Sequence, residues 1–293
     1  MKIKKILILI ILIIPILTGC NITKDSMEDI TIYTTIYPIK YLITSLYGDY
    51  STINSIYPSG VDTNDYELSD KKLEEYSKKD LFVFNSLDKD RDYAVKMINK
   101  NKNLKVIDVS LGITYTNDLP ELWLNPYNYL MMAQNTKDGL LEYIDNPYLI
   151  SNEEGTGVED KYETLKYDLS RLDADYKEDI NLATYKTIVV DDDMFKFLEK
   201  YGLRVISLEE NEELIDSTIN EVKKLINDGS SKYIYSSRSE TNNTCKNLID
   251  KYNIELVTLN TMETIDGGIT NSNENYITIM NNNLDLLNKE LYK

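Results

Sequence analysis

Apolar runs of strand length alternate with amphipathic helical stretches along most of the chain. In the first half the predicted strands are Ile30–Ile36, Thr52–Tyr57, Asp80–Phe84 and Leu104–Val109, and the predicted helices are Ile39–Tyr47, Asp70–Ser77 and Arg91–Asn99. In the second half the predicted strands are Thr187–Val190, Arg204–Ser207, Tyr233–Tyr235 and Leu256–Leu259, with helices at Met194–Tyr201, Ser217–Asn227 and Asn242–Tyr252. Strands that alternate with helices predict parallel sheets covered on both faces.

A long amphipathic segment separates the two series. Seven apolar side chains recur in it at spacings of three or four residues: Val158, Tyr162, Leu165, Leu169, Leu172, Tyr176 and Ile180. This pattern predicts one rigid helix over residues 156–182, between an N-terminal lobe at 30–155 and a C-terminal lobe at 183–293. The predicted fold class is therefore α/β, with two Rossmann-like lobes. No Gly/Ser-rich hinge is predicted between them.

The N-terminus has the features of an export signal. Three lysines, Lys2, Lys4 and Lys5, precede the twelve-residue apolar run Ile6–Leu17, which is too short to span a bilayer as a helix. The end of this run and the residues after it, Leu17–Cys20, resemble the lipobox of bacterial lipoproteins. We therefore predict a signal peptide at 1–19, a diacylglyceryl anchor on Cys20 and a tether over 20–29, on the extracellular face of the cell membrane. An ordinary secretory cleavage site is the alternative.

The net charge is strongly negative. The 293 residues carry a formal charge of −17, and removal of residues 1–19 leaves 29 basic against 49 acidic residues, or −20. Such a field repels phosphates, which excludes nucleic acid as a predicted partner, and it favours cations, although acidity also serves solubility. Cys245 has no partner once Cys20 is lipidated. We predict that it is a small buried residue on a helix, in neither a disulfide nor a cysteine–zinc site.

Several motifs together resemble one family. They are Pro58–Ser69, similar to P-x-G-x-x-P-H-x-Y-E-x-S; Lys78–Leu87, similar to K-A-D-L-F-V-Y-N-G-L; Pro120–Pro126, similar to P-H-x-W-L-x-P; Asp191–Phe195 with Tyr201–Leu203, similar to H-D-A-F and Y-G-L; and a C-terminal helix. Their order and spacing resemble the substrate-binding lipoproteins of bacterial zinc and manganese ABC importers. The resemblance implies a monomer, not an enzyme, that captures a divalent cation between its lobes and delivers it to an ABC permease and its ATPase.

The metal ligands that the resemblance implies have been replaced, because the chain contains no histidine. The family's three histidines and its acidic fourth ligand fall, in chain order, on Asn64, Glu121, Asp191 and Asn260. A glutamate that some members use falls near Ser237. Two carboxylates and two amide oxygens suit hard ions such as Mn²⁺, whereas Zn²⁺ gains most from imidazole or thiolate. We therefore expect Mn²⁺ or Zn²⁺ as the transported ion, with weaker zinc binding than a histidine site gives.

Structural roles compete with ligation at each position. The alternatives are a turn residue for Asn64, a solvent-exposed side chain for Glu121, a helix cap for Asp191 and an ordinary strand end for Asn260. For the whole protein, a metal-free adhesin or partner-binding lipoprotein on the same scaffold is the main alternative, supported by the absence of histidine. A metal-assisted hydrolase at the Asp191 cluster is a third hypothesis, without a Ser/His/Asp arrangement or phosphate loop to support it.

Overall fold

Two parallel four-stranded sheets form the framework of the chain. The structure is a computed structural model that describes residues 26–58, 61, 63, 66–263 and 274–293. The strands in these residues are β1 Ile30–Thr34, β2 Ser51–Ser55, β3 Leu81–Phe84, β4 Lys105–Asp108, β5 Thr187–Val190, β6 Arg204–Ser207, β7 Tyr233–Ser236 and β8 Glu255–Thr258. The sheet orders are β2-β1-β3-β4 and β6-β5-β7-β8, all parallel. The predicted α/β fold class is confirmed.

Helices connect the strands in both halves. The α-helices are α1 Tyr37–Tyr47, α2 Asp70–Ser77, α3 Asp90–Lys100, α4 Glu121–Leu124, α5 Pro126–Tyr143, α6 Pro147–Ile150, α7 Val158–Leu182, α8 Asp216–Asn227, α9 Asn243–Tyr252 and α10 Tyr276–Leu291. Two 3₁₀ helices occupy Gly48–Tyr50 and Asp193–Tyr201. For the second of these, the sequence predicted a helix but not its type. Its buried side chains recur at three-residue spacing, as in Phe195, Leu198 and Tyr201. That spacing matches the three residues per turn of a 3₁₀ helix.

The long helix α7 lies at the centre of the molecule. All seven apolar side chains of the predicted stripe, from Val158 to Ile180, are buried. The helix packs against α1 and α5 on the side of the first sheet and against α10 on the side of the second. One continuous core therefore includes residues of both sheets, such as Ile32 and Val190.

Each sheet is also covered on its outer face, as parallel strands require. All four residues of β3 are buried, and Phe82 and Phe84 belong to a separate outer core with residues of α2 and α3. In the second half α8 and α9 cover the sheet, and the outer core there contains Cys245. Cys245 is fully buried and forms no disulfide with any described residue, and burial raises the pKa of its thiol to about 12. The predicted burial of Cys245 on a helix is confirmed.

A junction of aromatic residues and hydrogen bonds joins the two halves beside α4. The indole Nε1–H of Trp123 donates to the carbonyl oxygen of Thr261 at 2.7 Å, and the Tyr276 hydroxyl donates to the carbonyl oxygen of Trp123 at 2.6 Å. The Tyr276 ring is stacked on the Tyr129 ring with centroids 3.8 Å apart. We call Trp123, Tyr129, Thr261 and Tyr276 the interlobe junction.

The predicted signal peptide and Cys20 lie outside the described residues, as does most of the predicted tether. Among the residues that are described, no helix combines the length and the apolar character needed to cross a membrane.

Candidate functional site

The sheet topology marks one crevice in each half. The chain places β2 on one side of β1 and β3 on the other, and it repeats this order with β6, β5 and β7. Open α/β sheets bind ligands outside the carboxyl ends of the strands at such a switch point. Asp191 follows β5 directly, and Ser236 is the last residue of β7. The structure therefore places Asp191 at the switch point of the second sheet.

The Asp191 carboxylate is only half satisfied. Its Oδ2 accepts hydrogen bonds from Ser236 Oγ at 2.5 Å and from Thr241 Oγ1 at 2.8 Å. Its Oδ1 is buried and has no hydrogen-bond partner among the described residues. Buried polar atoms in native proteins nearly always have a partner, and a carboxylate oxygen without one is poised to bind a cation.

Asp191 does not cap the 3₁₀ helix that follows it. The neighbouring Asp192 does so, because its Oδ1 accepts the Met194 N–H at 2.8 Å. Asp193 instead forms an ion pair with Lys196 at 2.7 Å. The helix-cap interpretation therefore applies to Asp192 and leaves Asp191 without that structural role.

An acidic cavity of about 270 Å³ opens beside Asp191. Its acidic lining residues are Asp191, Asp192, Glu209, Glu210 and Glu240, and Arg238 is the only basic one among the described lining residues. Burial, followed by the charges of Glu209, Asp118 and Asp191, raises the pKa of Asp192 to about 6. The ionised carboxylates therefore repel one another here, and a bound cation would relieve that repulsion.

Glu121 is buried rather than solvent-exposed, which corrects the structural alternative for this residue. It is 7% exposed at the start of α4. Its Oε2 accepts the backbone N–H groups of Thr116 and Asn117 at 3.1 and 3.2 Å, together with the Asn117 side-chain amide at 3.3 Å. Glu121 thus organises the loop before α4. The hydrogen bonds of Glu121 come from the first half of the chain, and those of Asp191 Oδ2 come from the second half.

The other two predicted ligands are placed differently. The Asn260 N–H donates to Asn283 Oδ1, and its own Oδ1 accepts the Met262 N–H, both at 2.9 Å. This arrangement fits a loop-stabilising residue. Asn64 lies outside the described residues. Within the described part of the chain, no three Asp, Glu or Cys side chains form a cluster that could hold a metal ion.

Several polar residues of this region were missed by the sequence analysis. Ser236 and Thr241 contact Asp191 from 45 and 50 positions away, so no local pattern indicates them. Glu209 and Glu210 follow β6 almost directly, and the rule that ligands bind at carboxyl ends of strands would have pointed to them.

A second buried carboxylate, Asp90, lies at the start of α3 in the first lobe. It is 3% exposed, and the Tyr57 hydroxyl donates to its Oδ1 at 2.6 Å. Burial is the main cause that raises its pKa from 3.8 to about 6. The folded protein therefore holds this proton more tightly than the unfolded chain, and ionisation of Asp90 costs stability as the pH rises from about 4 to 6.

Asp90→Asn should consequently raise the free energy of unfolding at pH 7, by up to about 3 kcal/mol. The neutral amide can still accept the Tyr57 hydrogen bond without the cost of a buried charge. Urea unfolding at pH 7 and at pH 3.5 would measure this, with exposed Asp92→Asn as the control. The gain should vanish at the lower pH, and a variant no more stable than wild type at pH 7 would contradict the prediction.

Comparison with known proteins gives consistent results. A family model described as "Zinc-uptake complex component A periplasmic" matches residues 32–290. The zinc-binding lipoprotein AdcA of Streptococcus pneumoniae is 23% identical over 92% of this chain, which spans only 58% of that relative's length. A putative metal-binding protein of Thermotoga maritima is 27% identical over 75% of this chain and 76% of its own length.

Solved structures share the fold. The Zn(II)-bound ZnuA-like domain of Streptococcus pneumoniae AdcA aligns with a TM-score of 0.71 at 22% identity, over 91% of this chain and 100% of that one. The metal-dependent lipoprotein YcdH from Bacillus subtilis aligns with a TM-score of 0.73 at 20% identity, over 90% of this chain and 100% of that one.

Proposed function

The chain belongs to the zinc-uptake complex component A family, and from this premise we propose that it is the extracytoplasmic solute-binding lipoprotein of a metal-ion ABC importer. In this role it captures a divalent cation of the Zn²⁺ or Mn²⁺ type and delivers it to an ABC permease with its ATPase. The family is a component of metal uptake, which confirms the prediction that the chain is not an enzyme.

Asp191 Oδ1 is buried and has no hydrogen-bond partner in the described part of the chain, and this observation best supports ion capture. We propose Asp191 as the principal ligand, because its carboxylate lies at a switch point and lines an acidic cavity. Glu121 would contribute the carboxylate oxygen that the loop before α4 does not use, and the amide oxygens of Asn64 and Asn260 would complete the set. A ligand set made only of oxygen atoms favours Mn²⁺ over Zn²⁺ relative to a histidine site.

We further propose that Cys20 carries the lipid anchor and that the mature protein acts as a monomer on the extracellular face of the membrane. The division into lobes at 30–155 and 183–293, with a linker at 156–182, belongs to the same proposal. The formal charge of −20 on the mature chain would draw cations toward this surface.

Calorimetric titration of purified residues 21–293 with Mn²⁺, Zn²⁺, Mg²⁺ and Ca²⁺ tests the proposed function. We expect one Mn²⁺ to bind per chain, and Zn²⁺ to bind more weakly than it does to the AdcA domain titrated in parallel. The absence of heat with all four ions would contradict ion capture. It would favour the alternative of a metal-free adhesin or partner-binding lipoprotein.

A further inference from the structure

Lys89 holds the chain on both sides of Asn64. It immediately precedes α3, and its Nζ donates to the carbonyl oxygen of Thr63 and, at 3.1 Å, to that of Tyr66. The same Nζ lies 5.9 Å from the centroid of the Tyr57 ring. Two carbonyl oxygens and an aromatic face surround this ammonium, which is how proteins surround a bound cation.

The first turn of α3 supplies further contacts to the same segment. Asp90 accepts the Tyr57 hydroxyl at 2.6 Å. The Tyr93 hydroxyl lies 3.4 Å from both the carbonyl oxygen of Tyr66 and the backbone nitrogen of Leu68. Lys89, Asp90 and Tyr93, at the start of α3, therefore all contact described residues that lie before or after Asn64 in the sequence. Lys89 is the only positively charged one of the three.

We propose that Lys89 is a positioning residue whose ammonium serves as a built-in cation for this segment. It holds Thr63 and Tyr66 in place before any ion arrives. Its relevance to ion capture rests on the proposed function, because Asn64 lies between these two residues. Binding an ion then requires no further ordering of Thr63 and Tyr66, which removes an entropic cost from capture.

Hydrogen exchange of the ion-free protein tests the positioning role. In Lys89→Met the amides of Thr63 and Tyr66 should exchange about tenfold faster than in wild type, because the ammonium no longer holds the carbonyl groups of these two residues. Lys96→Met is the matched control, since Lys96 is exposed on the same helix with its Nζ over the Tyr93 ring. Unchanged exchange in Lys89→Met, or an equal increase in Lys96→Met, would overturn the proposal.

Hydrogen exchange in the presence of Mn²⁺ distinguishes an ammonium that takes the place of a bound ion from one that makes only a structural contact. In wild type the exchange of these amides should stay the same, whereas in Lys89→Met it should slow as the ion takes over the role of the ammonium. Equal slowing in both proteins, or no slowing in a Lys89→Met protein that binds the ion calorimetrically, would overturn it. If neither protein binds any ion, the proposed function fails, and the ion-free comparison still decides the role of Lys89.

Discussion

Asp191→Asn is expected to lower the affinity for the captured ion by about 100-fold, the largest effect on binding that we predict for any single residue. The substitution removes the negative charge that we propose contacts the ion, together with a buried carboxylate oxygen that has no hydrogen-bond partner among the described residues. A 100-fold loss corresponds to about 2.7 kcal/mol of binding free energy. Calorimetric titration with Mn²⁺ would measure it.

The fold should survive this substitution. The amide oxygen of asparagine can still accept the hydrogen bonds of Ser236 and Thr241, so the local structure is retained. Asp250→Asn is the control, because Asp250 is exposed on α9 of the same lobe and its substitution changes the net charge equally. Wild-type affinity in Asp191→Asn would show that Asp191 is not an ion ligand, even if the protein binds metal elsewhere.

Tyr276→Ala should destabilise the protein by about 3–5 kcal/mol, the largest effect on stability that we predict. The side chain is 0% exposed and is stacked on Tyr129, and its hydroxyl donates to the carbonyl oxygen of Trp123. The truncation therefore opens a cavity in the interlobe junction and leaves a buried carbonyl without its donor. Guanidinium unfolding followed by tryptophan fluorescence would measure the loss.

Two further variants identify the source of that loss. Tyr276→Phe keeps the ring and removes only the hydroxyl, so it should cost about 1–3 kcal/mol. Tyr167→Ala truncates a tyrosine that is 66% exposed on α7 and should change stability by less than about 0.5 kcal/mol. If Tyr276→Ala were as stable as Tyr167→Ala, the interlobe junction would not hold the two halves together.

Most of the secondary structure was predictable because its signals are local, although the helix α5 at Pro126–Tyr143 was not predicted. Every predicted strand and helix begins and ends within two residues of the observed element, and the seven apolar positions of α7 are all buried. Apolar residues that recur every two positions indicate the side of a strand that faces the core, and those that recur every three to four positions indicate the side of a helix that does so. The sequence did not show whether Asp193–Tyr201 forms an α-helix or a 3₁₀ helix, since a short apolar segment fits either helical period.

The candidate site was predictable only in part. Placing Asp191 at the end of a strand followed from the sequence, but its hydroxyl partners did not. The sequence did not predict that Glu121 is buried, because the loop that buries it contains no apolar pattern. No sequence pattern indicated a role for Lys89, since a lysine before a helix is ordinarily solvated. Its carbonyl partners lie more than twenty positions away in the chain.

The sequence by itself determined the eight strands, most of the long helices, the apolar face of α7 and the absence of any histidine that could bind an ion. Only the tertiary structure decided that one carboxylate oxygen of Asp191 has no partner among the described residues, and that Asp192 rather than Asp191 caps the next helix. It also decided that the Lys89 ammonium contacts the carbonyl oxygens of Thr63 and Tyr66. The physical reason is that periodicity depends on neighbours along the chain. Hydrogen bonding and burial of a polar group depend instead on which strand ends meet at one sheet edge, and sheet order sets that.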